Sequence, residues 1–391
     1  MEKKQKILLV HNYYKIPGGE DSVVFNEKKL LEEHGHEVIL YTRSNSEIDK
    51  FGICKKFALL FTSVFNRKTY RDIKKIIRKE KIDIVHVHNT LSLISPSVFY
   101  AARECGVPVV QTIHNFRMIC PGATLYRNGN VCEECLEKGL HCAIRHKCYR
   151  NSSLQTRVSV RILKRHRRKG IFKNIHFICL TEFNKNKLLT DQDLCADQIF
   201  VKPNFVQHTG NVLPFSQREN RIIFVGRLEL LKGIDCLFKA WHQMGEKAPT
   251  LQVCGTGPLE EWCRNYIHEN HIENIEMMGF IDNKTTKELI GKSKALILPT
   301  RCYEGFPMTI AEAFSVGTPV LGTEFGNTGN LIEEGVTGWK FDPANCDSIA
   351  NAVESIVDVV DKVYVKFCEN YTADKNYEIL QNIYNSITNK K

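Results

Sequence analysis

The chain has 391 residues, 43% hydrophobic and 25% charged, an ordinary globular composition with material for two buried cores. No stretch reaches the roughly 20 apolar residues of a membrane span. The run Ile7–Val10 behind a charged N-terminus is too short for a signal peptide, so a cytoplasmic protein, soluble or peripheral, is expected. The net charge of +10 is unevenly spread: 138–181 holds no Asp or Glu but many Lys and Arg, which implies an anionic partner such as a membrane surface. The 15 cysteines sit mostly in apolar contexts, as reduced thiols do.

Short, continuously apolar runs alternate with helical patterns from the start, the mark of βαβ units around a parallel sheet. Strands are predicted at Ile7–Val10, Val38–Tyr41, Ile82–Val87, Pro108–Ile113, His176–Leu180 and Ile199–Lys202. Helices are predicted over Ser22–His34, ending at Lys79, and over Pro96–Cys105. A polar stretch, Gln207–Asn220, reads as a linker. The pattern then restarts with strands at Ile222–Val225, Leu251–Val253, Ile275–Met277, Ala295–Leu298 and Pro319–Leu321. A lone amphipathic helix, Asn376–Ile387, closes the chain. The fold class is thus α/β, two doubly wound Rossmann-like domains over 1–205 and 206–371, with a cysteine-rich insert at 116–150. Ligands in such sheets bind beyond the strands' carboxyl ends, so the loops there are searched for chemistry.

Pro17-Gly18-Gly19-Glu20 opens a helix after the first strand, and its glycines allow backbone N–H groups close to a phosphate or sugar, or simply make a tight turn. His114 ends a strand, where a neutral imidazole can meet a sugar hydroxyl; His86 and His88 are weaker candidates. Gly226-Arg227-Leu228 with Lys232-Gly233 places two cations suited to a diphosphate where a helix start disfavours them without an anion. Gly255-Thr256-Gly257 reads as a nucleotide loop or as an ordinary strand-to-helix turn. Sharpest is Glu304-Gly305-Phe306-Pro307, followed by Glu312: Pro307 is expected first in the helix, with one carboxylate before it and one just inside.

In this order these motifs resemble the retaining glycosyltransferase family 4, of GT-B fold, over nearly the whole chain. The resemblance implies two facing domains, with the C-terminal helix (372–391) packing back on the first. It implies that Arg227 and Lys232 hold the donor diphosphate, Glu312 the ribose, Glu304 the donor sugar and His114 a sugar contact. Gly18, Gly19, Gly255, Gly257, Gly305, Phe306 and Pro307 complete the donor site. It implies no metal in catalysis, a nucleotide-diphosphate sugar as donor, UDP by family frequency, and a polysaccharide or lipid-linked acceptor. A nucleotide-sugar epimerase of the same fold and an inactive sugar- or nucleotide-binding protein are the rival readings.

The insert departs from the family pattern. Cys132 and Cys135 have C-x2-C spacing, and with Cys142 and Cys148 they match a structural zinc site or a reduced thiol cluster. Arg161–Lys169 is so cationic that a helix there is expected to offer little to a core and to lie against anionic lipid or solvent.

Overall fold

The computed structural model describes residues 4–16, 18–207 and 211–389. Pro17, the first three residues of the expected first domain, residues 208–210 of the expected linker and the last two of the expected C-terminal helix lie outside them. The chain divides into two compact units, one holding Met1–Thr124, Glu133–Pro203 and Tyr377–Lys391, the other Leu125–Cys132 and Asn204–Asn376.

Strands of the first unit are β1 (Lys6–Tyr13), β2 (Glu37–Ser44), β3 (Ile84–Val87) and β4 (Val109–Ile113), with β5 (Tyr126–Arg127) and β6 (Asn130–Val131) forming a separate hairpin in the second unit. The first sheet is completed by β7 (His176–Cys179) and β8 (Ile199–Val201), in the order β2-β1-β3-β4-β7-β8, all parallel. Its helices are α1 (Gly19–Glu33), α2 (Ile53–Thr62), α3 (Arg67–Glu80), α4 (Ser97–Glu104), α5 (Glu134–Glu137), α6 (His141–Arg145), α7 (Ser153–Arg168) and α8 (Glu182–Leu188). Ile7, Leu8, Leu9 and Val10 of β1 are all fully buried, as a strand covered on both faces must be. The strand order reverses between β1 and β3, so the loops after these two strands border the crevice where such sheets bind ligands.

The second unit repeats the scheme with β9 (Glu219–Val225), β10 (Thr250–Cys254), β11 (Ile275–Gly279), β12 (Ser293–Leu298), β13 (Val320–Thr323) and β14 (Gly338–Phe341), parallel in the order β11-β10-β9-β12-β13-β14. Its helices are α9 (Ile234–Met244), α10 (Glu260–Glu269), α11 (Asn283–Lys292), α12 (Met308–Ser315), α13 (Gly326–Leu331), α14 (Cys346–Glu354) and α15 (Val360–Asn370). Here the order reverses between β9 and β12. The last helix, α16 (Ala373–Thr388), joins the first unit from Tyr377 onward. Tyr377 stacks on His34 with ring centroids 3.6 Å apart and its hydroxyl lies 3.0 Å from His36, while Tyr384 is buried. The crossing back that the resemblance implied is therefore present. Among the described residues no helix is long and apolar enough to cross a membrane.

Four expectations change. Phe25, an apolar position of the helix predicted over Ser22–His34, is 66% exposed. The end of the expected linker is not solvated: Arg218 is buried, donating to the carbonyls of Leu213, Ser293 and Val316. The strand β14 and the helix α2 were not foreseen. And α7 is a packed helix, not a stripe of cations on every face. It buries Thr156, Ser159, Val160, Leu163 and His166, and Val160 and Leu163 share an apolar cluster with Leu140 and Ala143. Its buried polar groups are satisfied, Ser159 donating to the Pro121 carbonyl at 3.0 Å and His166 bonding the Val64 carbonyl at 2.8 Å.

Candidate active site

In the second unit, the charged residues singled out by sequence follow the two strands that flank the reversal of strand order. Gly226 and Arg227 leave β9, and Thr300 to Pro307 follow β12. Lys232 Nζ donates to Glu304 Oε1 at 2.6 Å, and the Thr300 hydroxyl donates to the same oxygen at 3.0 Å. Both members of the pair are partly open to solvent, 28% and 18% exposed. The anion that makes a cation tolerable before α9 is thus supplied by the protein itself. Arg227 stands out at 62% exposed, 3.9 Å from Glu229.

Asn327, in α13, holds the loop that carries Glu304: its side-chain amide donates to the carbonyl of Glu304 and, at 2.9 Å, to that of Gly305. No local sequence signal marks Asn327, because it lies 23 residues from Glu304. Pro307 is the N-cap of α12 rather than its first residue, and Phe306 is buried against Tyr371, ring centroids 6.0 Å apart. Glu312 lies on α12, and burial pushes its carboxyl above the usual range, with Lys287 opposing. A carboxyl of that kind gains from a hydroxyl donor.

The glycines of the nucleotide-loop candidate have a steric reason of their own. Gly255 sits at φ +145, and a Cβ there would lie 1.8 Å from the Gly226 carbonyl oxygen. A Cβ on Gly257 would lie 2.5 Å from the Leu228 carbonyl oxygen. The loops after β9 and β10 are locked backbone to backbone, Leu228 N–H donating to the Thr256 carbonyl at 3.1 Å. Gly18 is different. It caps α1 in extended conformation, with nothing within 4 Å of an added Cβ, so the space beside it is open. Gly19 begins α1, and the next residue, Glu20, accepts from the Tyr14 hydroxyl at 3.1 Å; burial pushes Glu20 up to about 8.

His114 ends β4 and belongs to a buried polar chain that sequence reading missed apart from its histidines. Lys202 Nζ lies 3.0 Å from Glu27 Oε2, with both side chains 1% exposed. His88 Nε2 lies 3.1 Å from Glu27 Oε1, and His88 Nδ1 lies 3.0 Å from His114 Nε2. His86 joins through Glu27 at 3.0 Å and the Tyr384 hydroxyl at 2.7 Å. Burial pushes the Glu27 carboxyl up, but Lys202 and the two imidazoles outweigh it and hold it well below the usual range. Burial lowers His88 to about 4 and His114 well below its usual value. Glu27 is therefore anionic, and the His88 and His114 imidazoles are neutral. The hydrogen bonds then set the tautomers. His88 gives its Nε2 proton to Glu27 and accepts at Nδ1 from His114, which leaves His114 Nδ1 a bare acceptor.

Among the described residues, the group whose metal-ligand atoms converge within 4.8 Å is Glu27, His86 and His88, and its positive charge is supplied by Lys202. The cysteine set Cys132, Cys135, Cys142 and Cys148 is not drawn together to that degree. The Cys135 thiol, pushed up to about 12 by burial, has Cys120, Cys148 and Cys142 as its thiol neighbours. Cys120 thus belongs to the set, although the C-x2-C spacing did not select it. No disulfide is present among the described residues.

Comparison with known proteins fits this geometry. A sequence profile described as Glycosyltransferase Family 4 matches residues 17–209, and one described as Glycosyl transferases group 1 matches residues 209–370. The chain is 25% identical over 294 residues to an uncharacterized glycosyltransferase of Methanocaldococcus jannaschii, covering 72% of this chain and 68% of that one. It is 24% identical over 344 residues to a human phosphatidylinositol N-acetylglucosaminyltransferase component, covering 82% of this chain and 62% of that protein. Among solved structures, Anabaena HepE in complex with UDP superposes with a TM-score of 0.65 at 16% identity, over 97% of this chain and 99% of that one. Two profiles that run on from one another over residues 17–370, carried on two doubly wound sheets with a returning helix, place the chain in glycosyltransferase family 4, retaining transferases of GT-B fold that need no metal.

Proposed function

We propose that the chain moves a hexose from a UDP-sugar to a lipid-linked or polysaccharide acceptor, working as a cytoplasmic protein held at the inner face of the membrane. The observation that carries the reading is the Lys232–Glu304 pair on a loop clamped by Asn327, with Glu312 on the helix that follows. A donor diphosphate takes Lys232 and Arg227 as counter-charges. Lys232 then exchanges Glu304 for phosphate and frees that carboxylate for the sugar hydroxyls, while Glu312 receives the ribose. Gly255, Gly257, Gly305, Phe306 and Pro307 shape the backbone of the donor site, and Gly18 and Gly19 leave the start of α1 open to a phosphate or sugar. His114 accepts a sugar hydroxyl at Nδ1. In the reaction the bond from C1 to the phosphate oxygen breaks. The acceptor oxygen bonds C1 on the same face, and its proton passes to the leaving phosphate. UDP is favoured by the likeness to HepE, whose structure holds it. A lipid acceptor is favoured by the likeness to the human phosphatidylinositol N-acetylglucosaminyltransferase component.

The test separates the carboxylates. Glu312→Gln is expected to weaken binding of UDP itself, and Glu304→Gln to spare UDP affinity but lower turnover. Identical calorimetry of the two with UDP would overturn the assignment. Donor supplied alone is expected to stay unconverted apart from slow hydrolysis, whereas an epimerase would interconvert it. We propose in addition a structural zinc in the cysteine-rich insert, with Cys120 joining Cys135, Cys142 and Cys148. One equivalent of zinc that a Cys120→Ser/Cys135→Ser variant loses supports it; a metal-free protein from zinc-replete cells, with all thiols titrating, rejects it.

A further inference from the structure

Helix α2 buries none of its residues. Ile53, Phe57 and Phe61 recur every fourth position along it and are 75%, 64% and 64% exposed. A helix of a globular unit normally turns such a stripe inward. A contiguous apolar stripe facing outward calls for an apolar partner.

The surroundings say which partner. Within α2 stand Lys55 and Lys56 and no acid. Beside it, α7 exposes Arg157, Arg161, Lys164, Arg165 and Arg168, again with no acid in the helix. The Arg161 guanidinium lies 5.7 Å from the centre of the Phe61 ring. Arg167 is excluded from this face, because it bonds Asp191 at 2.7 Å and the Met118 carbonyl at 2.8 Å. Between the helices opens a groove of about 310 Å³, lined by Lys56, Leu59 and Leu60 of α2 and by Gln155, Val158 and Ile162 of α7. A second copy of the chain would bring the same cations against themselves. An anionic bilayer offers hydrocarbon to the stripe and phosphate to the cations at once.

Building on the reading of the chain as a transferase with a lipid-linked acceptor, we propose that α2 and α7 form a docking face for an anionic bilayer. α2 lies in the interface with Ile53, Phe57 and Phe61 in the hydrocarbon, the cations of α7 meet lipid phosphates, and the groove takes the hydrocarbon tail of the acceptor. Apolar insertion and charge are separate contributions, and each has its own variant.

The experiment is co-sedimentation with vesicles of phosphatidylcholine alone or mixed with phosphatidylglycerol. It needs no donor or acceptor, so its failure is distinct from failure of the transferase reading. Wild type is expected on the anionic vesicles only, and to be released by salt. Phe57→Ser/Phe61→Ser is expected to lower partitioning by about tenfold or more. Arg157→Ser/Arg161→Ser/Arg165→Ser/Arg168→Ser is expected to remove the preference for anionic lipid. Both variants should keep wild-type melting temperature and UDP affinity, which shows that they fold. Phe57→Trp should shift its emission to the blue with anionic vesicles and be quenched by brominated lipid chains. Two outcomes overturn the proposal: folded variants that sediment like wild type, or a wild type that binds no vesicle and instead dimerises through Phe57 and Phe61.

Discussion

Two ion pairs of this protein, one in each unit, are built of the same groups and serve opposite ends. Lys202 and Glu27 are 1% exposed and enclosed by His86 and His88. Lys232 and Glu304 are partly open, on a loop that follows the reversal of strand order. A sealed pair is fixed at folding and cannot trade partners without leaving a charge in a low dielectric. An open pair loses little on separation, so it can give its cation to a phosphate and its carboxylate to a hydroxyl. Similar geometry, 3.0 Å against 2.6 Å, thus gives a sealed pair in one unit and a pair with access to solvent in the other.

Breaking the sealed pair should have the largest effect. Lys202→Met leaves Glu27 buried without its counter-ion, with an expected loss of about 3–5 kcal/mol read from urea unfolding. A loss below about 1 kcal/mol would mean that Glu27 is not sealed.

Acid probes the same cluster more gently. The unfolded chain protonates its histidines near 6.5, whereas burial holds His88 at about 4 in the folded state. Between those values the unfolded state binds more protons, so stability rises with pH and falls on acidification, by up to about 1.4 kcal/mol per pH unit for each such imidazole. Glu27, held low, acts in the same direction but only below about pH 5, where the unfolded carboxyl begins to protonate. The melting temperature is expected to drop from about pH 7 to about pH 5, and less steeply in His88→Gln. Equal slopes in variant and wild type would remove His88 from the account.

The open pair should answer to ligand more than to stability. Lys232→Ala is expected to weaken UDP binding by about 1.5–3 kcal/mol in calorimetry. Its melting temperature should fall less than that of Lys202→Met, since the Lys232–Glu304 pair keeps some contact with solvent. Arg227→Ala, at a more exposed position, is expected toward the lower end of that range. Unchanged UDP affinity in both variants would erase the contrast between the units.

What could be read from sequence follows the same division between local and distant. Ile7–Val10 and Ile222–Val225 declare themselves because strands buried on both faces are continuously apolar. The order of Arg227, Lys232, Glu304 and Glu312 was legible because each follows a strand end. β14 was not, since Gly338-Trp339-Lys340-Phe341 is four residues long with a lysine inside. α7 misled because several of its buried positions are Thr156, Ser159 and His166, polar groups satisfied by hydrogen bonds that no count of apolar residues detects. α2 escaped because its apolar stripe faces outward. The chain from Lys202 to His114 joins residues up to 175 positions apart, and only the fold brings them together.

The interlocked loops after β9 and β10 bear on how this enzyme can be re-engineered. With Gly255 against the Gly226 carbonyl and Gly257 against the Leu228 backbone, the loop after β10 has no room for a side chain at either contact with the loop after β9. A graft that imports one loop from a relative of different donor preference would have to match a backbone surface it did not evolve against. The two segments are therefore one exchangeable cassette, and chimaeras should place their junctions inside β9 and beyond Gly257.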